Sequence, residues 1–389
     1  GDVYKRQVFN NDAIREVNLY KSFFPLKYGG RSSSVIDVRM REGNSKERER
    51  SAGLGLIASK VLLEGPLKKK EGSYLVSGRF GYPGVVAGLL GSNLTSKPQM
   101  WFYDVNAKVN RTLDARNRMF FSLYSGGDHT VFNKLVKGYG MDWGNATATI
   151  RWNHILNDKT NVNTSAVFSN YYYKYKSLSD GLRYVWKSNM QSYQLKSDWE
   201  RYQNNLLTLK GGVNLHYFTT MPGEVGKSGK DSNITPSQMP RKSLWDAALY
   251  AEANYKFLPH FLLNAGVRLS VLHAPASAYY AAKTFVMPEP RAELSFIPNA
   301  SHRFSASYTQ AAQSIHMLTT SSVGIPSDMW MPANALLKPS VMRQLALGYE
   351  YNFPDKEYTL SLEAYMRRTS HVVDYRKNAD IFQNDRIED

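Results

Sequence analysis

The chain has 389 residues and no cysteine, which excludes a cysteine-ligated zinc or iron–sulfur site and a cysteine nucleophile, and suits export through an oxidising compartment. Its formal charge of +16 (49 Lys and Arg against 33 Asp and Glu) is spread along the sequence, with Lys68-Lys69-Lys70 the one dense run, so no nucleic-acid-binding face is expected. The 26 Tyr, 17 Phe and 7 Trp, with no apolar stretch longer than Val85 to Leu90, exclude a transmembrane helix and suit aromatic-girdled strands.

Gly1 to Gln7 resembles translated sequencing adapter and carries no structural weight. With no initiating Met, no signal peptide and no closing pattern at Arg386 to Asp389, both ends read as truncations. Asp12 to Lys21 predicts a turn or short helical entry into a strand. Phe24 to Ser34 follows as a turn, in which Gly29 and Gly30 supply positive φ and close backbone approach. Val35 to Gly43 then reads as a strand. Gly53-x-Gly55 lacks the third glycine and helix pattern of a nucleotide loop and is read as a close-packed strand.

From about Ser51 onward one theme repeats: alternating residues, a turn, alternating residues. Leu345, Leu347, Tyr349, Tyr351 and Phe353 share one face, against Gln344, Ala346, Gly348, Glu350 and Asn352 on the other. Ala146/Ala148/Ile150/Trp152 and Leu263/Ala265/Val267/Leu269/Val271 repeat the pattern. A period of two means strand. These stretches are longer than the usual strand of about five or six residues in soluble proteins, and long enough for a tilted crossing of hydrocarbon.

Short connections at Lys68–Gly72, Asp114–Asn117, Asn157–Thr160, Gln203–Asn205, Pro259-His260, Pro298–Ser301 and Pro354–Lys356 alternate with longer links. The long links are read at 82–98, 126–143, 177–189, 219–242, 273–288, 311–338 and after about Tyr375. Short periplasmic turns alternating with long outer loops are the pattern of an outer-membrane barrel. Prolines, Pro290 apart, are assigned to turns and loops. Parity makes Ser51 to Leu67 two short strands with a tight outer bend near Ser59, which brings the count to about fifteen, an odd number that leaves the barrel incomplete.

The stretch Asp12 to Asn44, with Tyr28-Gly29-Gly30-Arg31 and the strand Val35-Ile36-Asp37-Val38, resembles the end of a TonB-dependent receptor plug. Ser34 stands where the family often has glycine. Gly53 to Arg79, Arg151 to Tyr175, Pro288 to Phe296 and Asp328 to Phe353 resemble the family's barrel strands. The resemblance implies an all-β, transmembrane antiparallel barrel, with about fifteen of about 22 strands present, preceded by the tail of a plug. The implied organisation is 1–7 non-native, 8–46 plug end, and 51–389 the first two thirds of a barrel in the cell outer membrane. It also implies capture of a scarce bulky nutrient, plug rearrangement driven by the TonB complex of the inner membrane, contact with outer-membrane lipid and lipopolysaccharide, and no covalent chemistry. The turn reads Phe-Pro-Leu-Lys-Tyr-Gly-Gly-Arg, unlike glycan porins of the starch-utilisation type, which moves the expected ligand towards a siderophore or similar chelate. A passive porin and a surface β-rich adhesin are the alternatives.

Candidate ligand contacts are the aromatic and cationic residues in or beside predicted outer loops: Tyr139, Trp143, Arg183, Tyr184, Trp186, Lys187 and Trp330. Tyr171 to Tyr173 and Tyr349/Tyr351 are assigned to the girdle. Tyr28, Gly29, Gly30 and Arg31 are given a structural role. The eight histidines show no ligand spacing on a helix, so neither a metal site nor a cofactor is expected. Glu289 and Glu293 are read as lumen-facing charges, not an acid–base pair, and no enzyme is expected.

Overall fold

The computed structural model describes residues 13–67, 71–90, 99–132, 138–179, 182–229, 234–318, 329–354 and 358–375. The expectations for Gly1 to Gln7, Lys68 to Lys70 and the link beyond Tyr375 lie outside the described residues, the last except for Tyr375 itself.

Two strands, β1 (Ile14–Tyr20) and β2 (Val35–Met40), pair only with each other, as an antiparallel hairpin. A meander then begins with β3 (Glu49–Leu54), β4 (Ala58–Pro66) and β5 (Gly72–Gly81), followed by the helix α1 (Pro83–Leu90). It continues through β6 (Gln99–Thr112), β7 (Asn117–Phe132), β8 (Tyr139–Asn157), β9 (Thr160–Ser179), β10 (Leu182–Tyr202) and β11 (Leu207–Lys227). The short β12 (Ser237–Gln238) pairs β11 off the main path. Next come β13 (Lys242–Leu258), β14 (Phe261–Ala274), β15 (Lys283–Phe296) and β16 (His302–Gln313). A small hairpin of β17 (Ile315–Leu318) and β18 (Met329–Pro332) intervenes before β19 (Ser340–Asn352) and β20 (Thr359–Ser370). The sheet has sixteen strands, fifteen of them in one antiparallel path from β3 to β20. Among the described residues that path does not close on itself.

Burial is the reverse of a water-soluble protein. Along β13, Lys242, Asp246, Tyr250 and Glu252 are buried while Trp245 and Leu249 are exposed. Along β6, Asp104, Asn106, Lys108 and Asn110 are buried and Trp101, Val105 and Val109 exposed. Such an apolar outer wall is stable only against lipid, and the inward polar residues line a lumen.

Aromatic rings mark both edges of the apolar band. At the short-turn end, Tyr255, Phe257, Phe261, Phe296, Phe304 and Tyr349 follow one another at centroid distances of 4.8–6.3 Å. At the other edge, Phe168, Tyr193, Tyr217 and Trp245 form a second row. On β13 the two rows are ten residues apart (245 to 255), which at about 3.3 Å per residue and ~40° tilt gives about 25 Å of height.

Four expectations need correction. First, the links read at 126–143 and 177–189 are mostly strand: β7 runs to Phe132, β8 starts at Tyr139, and β9 and β10 pair out to Ser179↔Leu182. Above the lipid the outer face of the wall meets water too, so hydrophobic alternation fades while the hydrogen-bonded ladder continues. Second, the first outer bend lies at Gly55–Ile57, between β3 and β4, not near Ser59.

Third, prolines other than Pro290 also lie in strands. Pro66 ends β4, and Pro222 sits where β11 bulges against Lys187/Asn189. Pro288 is mid-strand in β15, and its carbonyl accepts from Gln310 on β16, so its missing N–H faces that neighbour. Accordingly β15 pairs β14 along its whole length but β16 only over Arg291–Phe296. Fourth, Tyr171 and Tyr173 do not join the girdle. They share the parity of lumen-lining Ser165 and Val167, and only Tyr172 between them faces outward.

Candidate functional site

The leading segment lies against the inner wall, held by buried charge. Arg291 Nη1 donates to the carbonyls of Phe24 (3.2 Å), Pro25 (3.0 Å) and Tyr28 (2.9 Å), and its guanidinium sits 4.1 Å from the Phe24 ring centre. Arg268 Nη1 donates to Leu26 O, and the Leu26 amide donates to Glu252 Oε2 at 2.9 Å. Glu289 holds both arginines, at 3.1 Å from Arg291 and 3.7 Å from Arg268, and also accepts from Ser270 at 2.7 Å. These cations can be buried because each is paired and hydrogen-bonded. Phe24 packs with Ala311 and Met342, and Leu26 is buried as well.

Each glycine of the turn meets a different constraint. Gly30 has φ +75°, while a Cβ on Gly29 would stand 2.3 Å from Arg268 Nε. Tyr28 N–H closes the turn on Pro25 O at 3.0 Å. Burial first, then the Asp37 carboxylate, hold the Tyr28 phenol above its usual pKa, so it stays protonated. Arg31 reaches across to β17, donating to Ile315 O at 3.4 Å, and lies 5.1 Å from the Trp330 ring centre. Lower down, Lys108 donates to Met40 O and Arg118 pairs Glu42 at 2.6 Å. Between the β1–β2 hairpin and the wall from β6 to β13 is a cavity of about 860 Å³ lined by charges of both signs, among them Arg39, Arg151 and Lys196 with Asp37, Asp198 and Glu200.

At the long-loop end, the upward extensions of β8, β9 and β10 turn an aromatic surface inward. Tyr173 and Trp186 are buried with Val225, Met239, Leu318, Met329 and Met331, and Trp143, Tyr171, Tyr175 and Tyr184 pack against them. Strand parity decides which of the sequence candidates meet. Trp143, Tyr184 and Trp186 come together here. Tyr139 joins through Tyr175, at 6.4 Å between ring centres, and Tyr175 in turn lies 6.0 Å from Tyr184. Trp330 lies in β18 between Met329 and Met331, its ring over Arg31. Arg183 and Lys187 have the opposite parity to Tyr184 and Trp186, and Lys187 pairs with Glu224 at 2.8 Å. Sequence reasoning missed Tyr171, Tyr173, Met329 and Met331; carrying the parity of Ser165 upward along β9 would have found the two tyrosines.

The partly buried rings of Trp143, Tyr171, Tyr175 and Tyr184 offer stacking faces for a bulky planar ligand, backed by the buried Tyr173, Trp186, Met329 and Met331, with Arg31 beside Trp330 as the neighbouring cation. His316 is buried, Nε2 3.0 Å from Lys338 O and Nδ1 3.4 Å from Ser340 Oγ, and burial lowers its pKa. Among the described residues no group of three His, Asp or Glu is placed to hold a metal.

Residues 88–387 match the family model described as TonB dependent receptor-like, beta-barrel. Among curated proteins none matches the sequence. Solved structures do. The ferric preacinetobactin receptor BauA of Acinetobacter baumannii superposes with a TM-score of 0.68 at 11% identity, over 92% of this chain and 60% of that one. The open form of the ferric-catecholate import receptor Fiu of E. coli K12 gives 0.66 at 12%, over 92% and 65%. The copper transporter OprC gives 0.64 at 12%, over 90% and 59%. At these identities the likeness shows a shared fold, and the chain spans about three fifths of the length of the structures it matches.

Proposed function

The chain belongs to the TonB-dependent receptor β-barrel family, a family of the outer membrane, and on that premise we propose that it is the capturing part of a receptor for a scarce, bulky nutrient. The chemistry favoured is an iron chelate of the siderophore kind. The observation that carries the reading is the inward aromatic cluster, with Trp143 and Tyr184 only partly buried over Tyr173 and Trp186, above a lumen occupied by the leading segment. Residues 13–46 act as the tail of a plug: their buried contacts with Arg268, Arg291 and Glu252 hold them inside the barrel until the inner-membrane TonB complex supplies the work to shift them. No covalent step is part of this function. BauA and Fiu are named for ferric chelates, which supports the ligand class; OprC, named for copper, is the reason to test a bare metal beside it.

The test is uptake by cells carrying the gene, with ferric siderophores, haem, cobalamin and copper offered separately. Saturable uptake of one ferric chelate that stops when an uncoupler collapses the inner-membrane gradient is the expected result. Non-saturable uptake indifferent to the uncoupler would make the protein a passive porin.

A further inference from the structure

The rim of the sheet is uneven. β10 and β11 each have 21 residues, about 50 Å of height at ~40° tilt, whereas β5 has ten and rises about 23 Å above its inner turn. The β3–β4 bend and α1 therefore lie near the upper edge of the hydrocarbon. Both segments are apolar. Residues 52–57 read Ala-Gly-Leu-Gly-Leu-Ile, and 83–90 read Pro-Gly-Val-Val-Ala-Gly-Leu-Leu, without one charge. Leu56 is 85% exposed and Leu89 79%, with Ile57 and Val85 also exposed. They continue the lipid-facing band directly: Phe80 and Trp101 stack at 6.2 Å on the outer face, since the adjacent Arg79 points inward to Asp104.

The backbone of this corner is satisfied from within. Tyr82 N–H donates to Ile57 O at 2.7 Å, Tyr82 Oη donates to Gly55 O at 2.5 Å, and Gly55 N–H donates to Ala58 O at 3.0 Å. Ser59 Oγ lies 2.9 Å from Tyr82 Oη. Pro83 opens the helix without an N–H to satisfy, and Val85 N–H closes on Tyr82 O. A bend left to water needs no such arrangement; one in contact with hydrocarbon does.

We propose that the β3–β4 bend and α1 form a platform that inserts among the acyl chains of the outer leaflet, so that this sector of the rim ends inside the membrane surface while β8 to β11 stand above it. The platform anchors the barrel's height, and the low sector is the side on which lipid approaches the mouth of the lumen.

Because the chain has no cysteine, single-cysteine variants report cleanly. Leu56→Cys, Leu89→Cys and, as a water-exposed control at the top of β11, Lys227→Cys are labelled with an environment-sensitive fluorophore in the receptor reconstituted into vesicles. Some vesicles carry phospholipid with a nitroxide near the headgroup end of the acyl chain. Heat-dependent electrophoretic mobility reports assembly, and Val85→Cys repeats the measurement if either test variant does not assemble. A blue-shifted emission and a several-fold loss of fluorescence to the nitroxide at Leu56 and Leu89, with neither at Lys227, is the expected result. Quenching of Leu56 and Leu89 by aqueous iodide to the extent seen at Lys227 overturns the proposal, and so does shielding from both quenchers, which would place a protein on the platform.

Discussion

Arg291→Ala removes three hydrogen bonds to carbonyls of the leading segment, the stack on Phe24 and one of the two cations that neutralise Glu289. The guanidinium and its carboxylate partner are both essentially inaccessible to water. Breaking such a buried pair on one side costs about 3–5 kcal/mol, because the remaining charge stays desolvated. At about 1.4 kcal/mol per factor of ten, detachment of the leading segment becomes about 10²- to 4 × 10³-fold more frequent. Hydrogen exchange reads this directly at two amides: Leu26, which donates to Glu252, and Tyr28, which donates to Pro25 O. Both should lose protection by that factor while the β13–β14 ladder keeps its own. Arg291→Lys keeps the charge but not the planar fork and should fall between. Unchanged protection of Leu26 and Tyr28 in an assembled Arg291→Ala protein would refute the claim that this guanidinium holds the segment.

Gly43→Ala puts a Cβ 1.9 Å from the Tyr74 carbonyl oxygen and should destabilise the link between β2 and β3 by about 1–3 kcal/mol, read as faster exchange through Arg41 and Asn44. Pro288→Ala with Pro290→Ala returns two donors to the side of β15 facing β16, so the amides of Gln310 to Gln313 should exchange more slowly; no change would mean that another cause opens that ladder. Trp186→Ala should weaken ligand binding about tenfold or more in a fluorescence titration, whereas Lys187→Ala, whose side chain turns away towards Glu224, should leave it nearly unchanged. The Asp114 carboxyl, hydrogen-bonded first by the Arg116 amide and then by the Asn117 side chain, has a folded pKa below the ordinary carboxylate range. The turn's stabilisation is therefore full above that range and is lost as pH falls through the folded pKa, which a carboxyl NMR titration would follow.

Alternation within about ten residues was enough to find the strands, because each residue in a lipid-crossing wall meets either hydrocarbon or water, and the sequence records which. The same local chemistry placed the tight turns at Asp114–Asn117, Asn157–Thr160 and Pro259-His260, where proline, asparagine and aspartate supply the backbone geometry. The count of about fifteen strands followed by parity and agrees with the fifteen-strand path. Above the lipid that record stops. Gly126-Gly127-Asp128 and Ser177 to Ser179 resemble loops in composition, yet their ladders continue, since strands whose outer face meets water still need only their neighbours' hydrogen bonds.

The partnerships that matter for the site span hundreds of residues: Arg291 with Phe24, Glu252 with Leu26, Arg31 with Trp330. No periodicity links such positions. Sequence alone determined that the chain makes long antiparallel strands with one apolar face, because that choice is made residue by residue against the nearest solvent. Which charges meet inside, which tyrosines turn towards the lumen and where the rim sinks to the lipid were decided only when strand register and curvature brought distant positions to the same height.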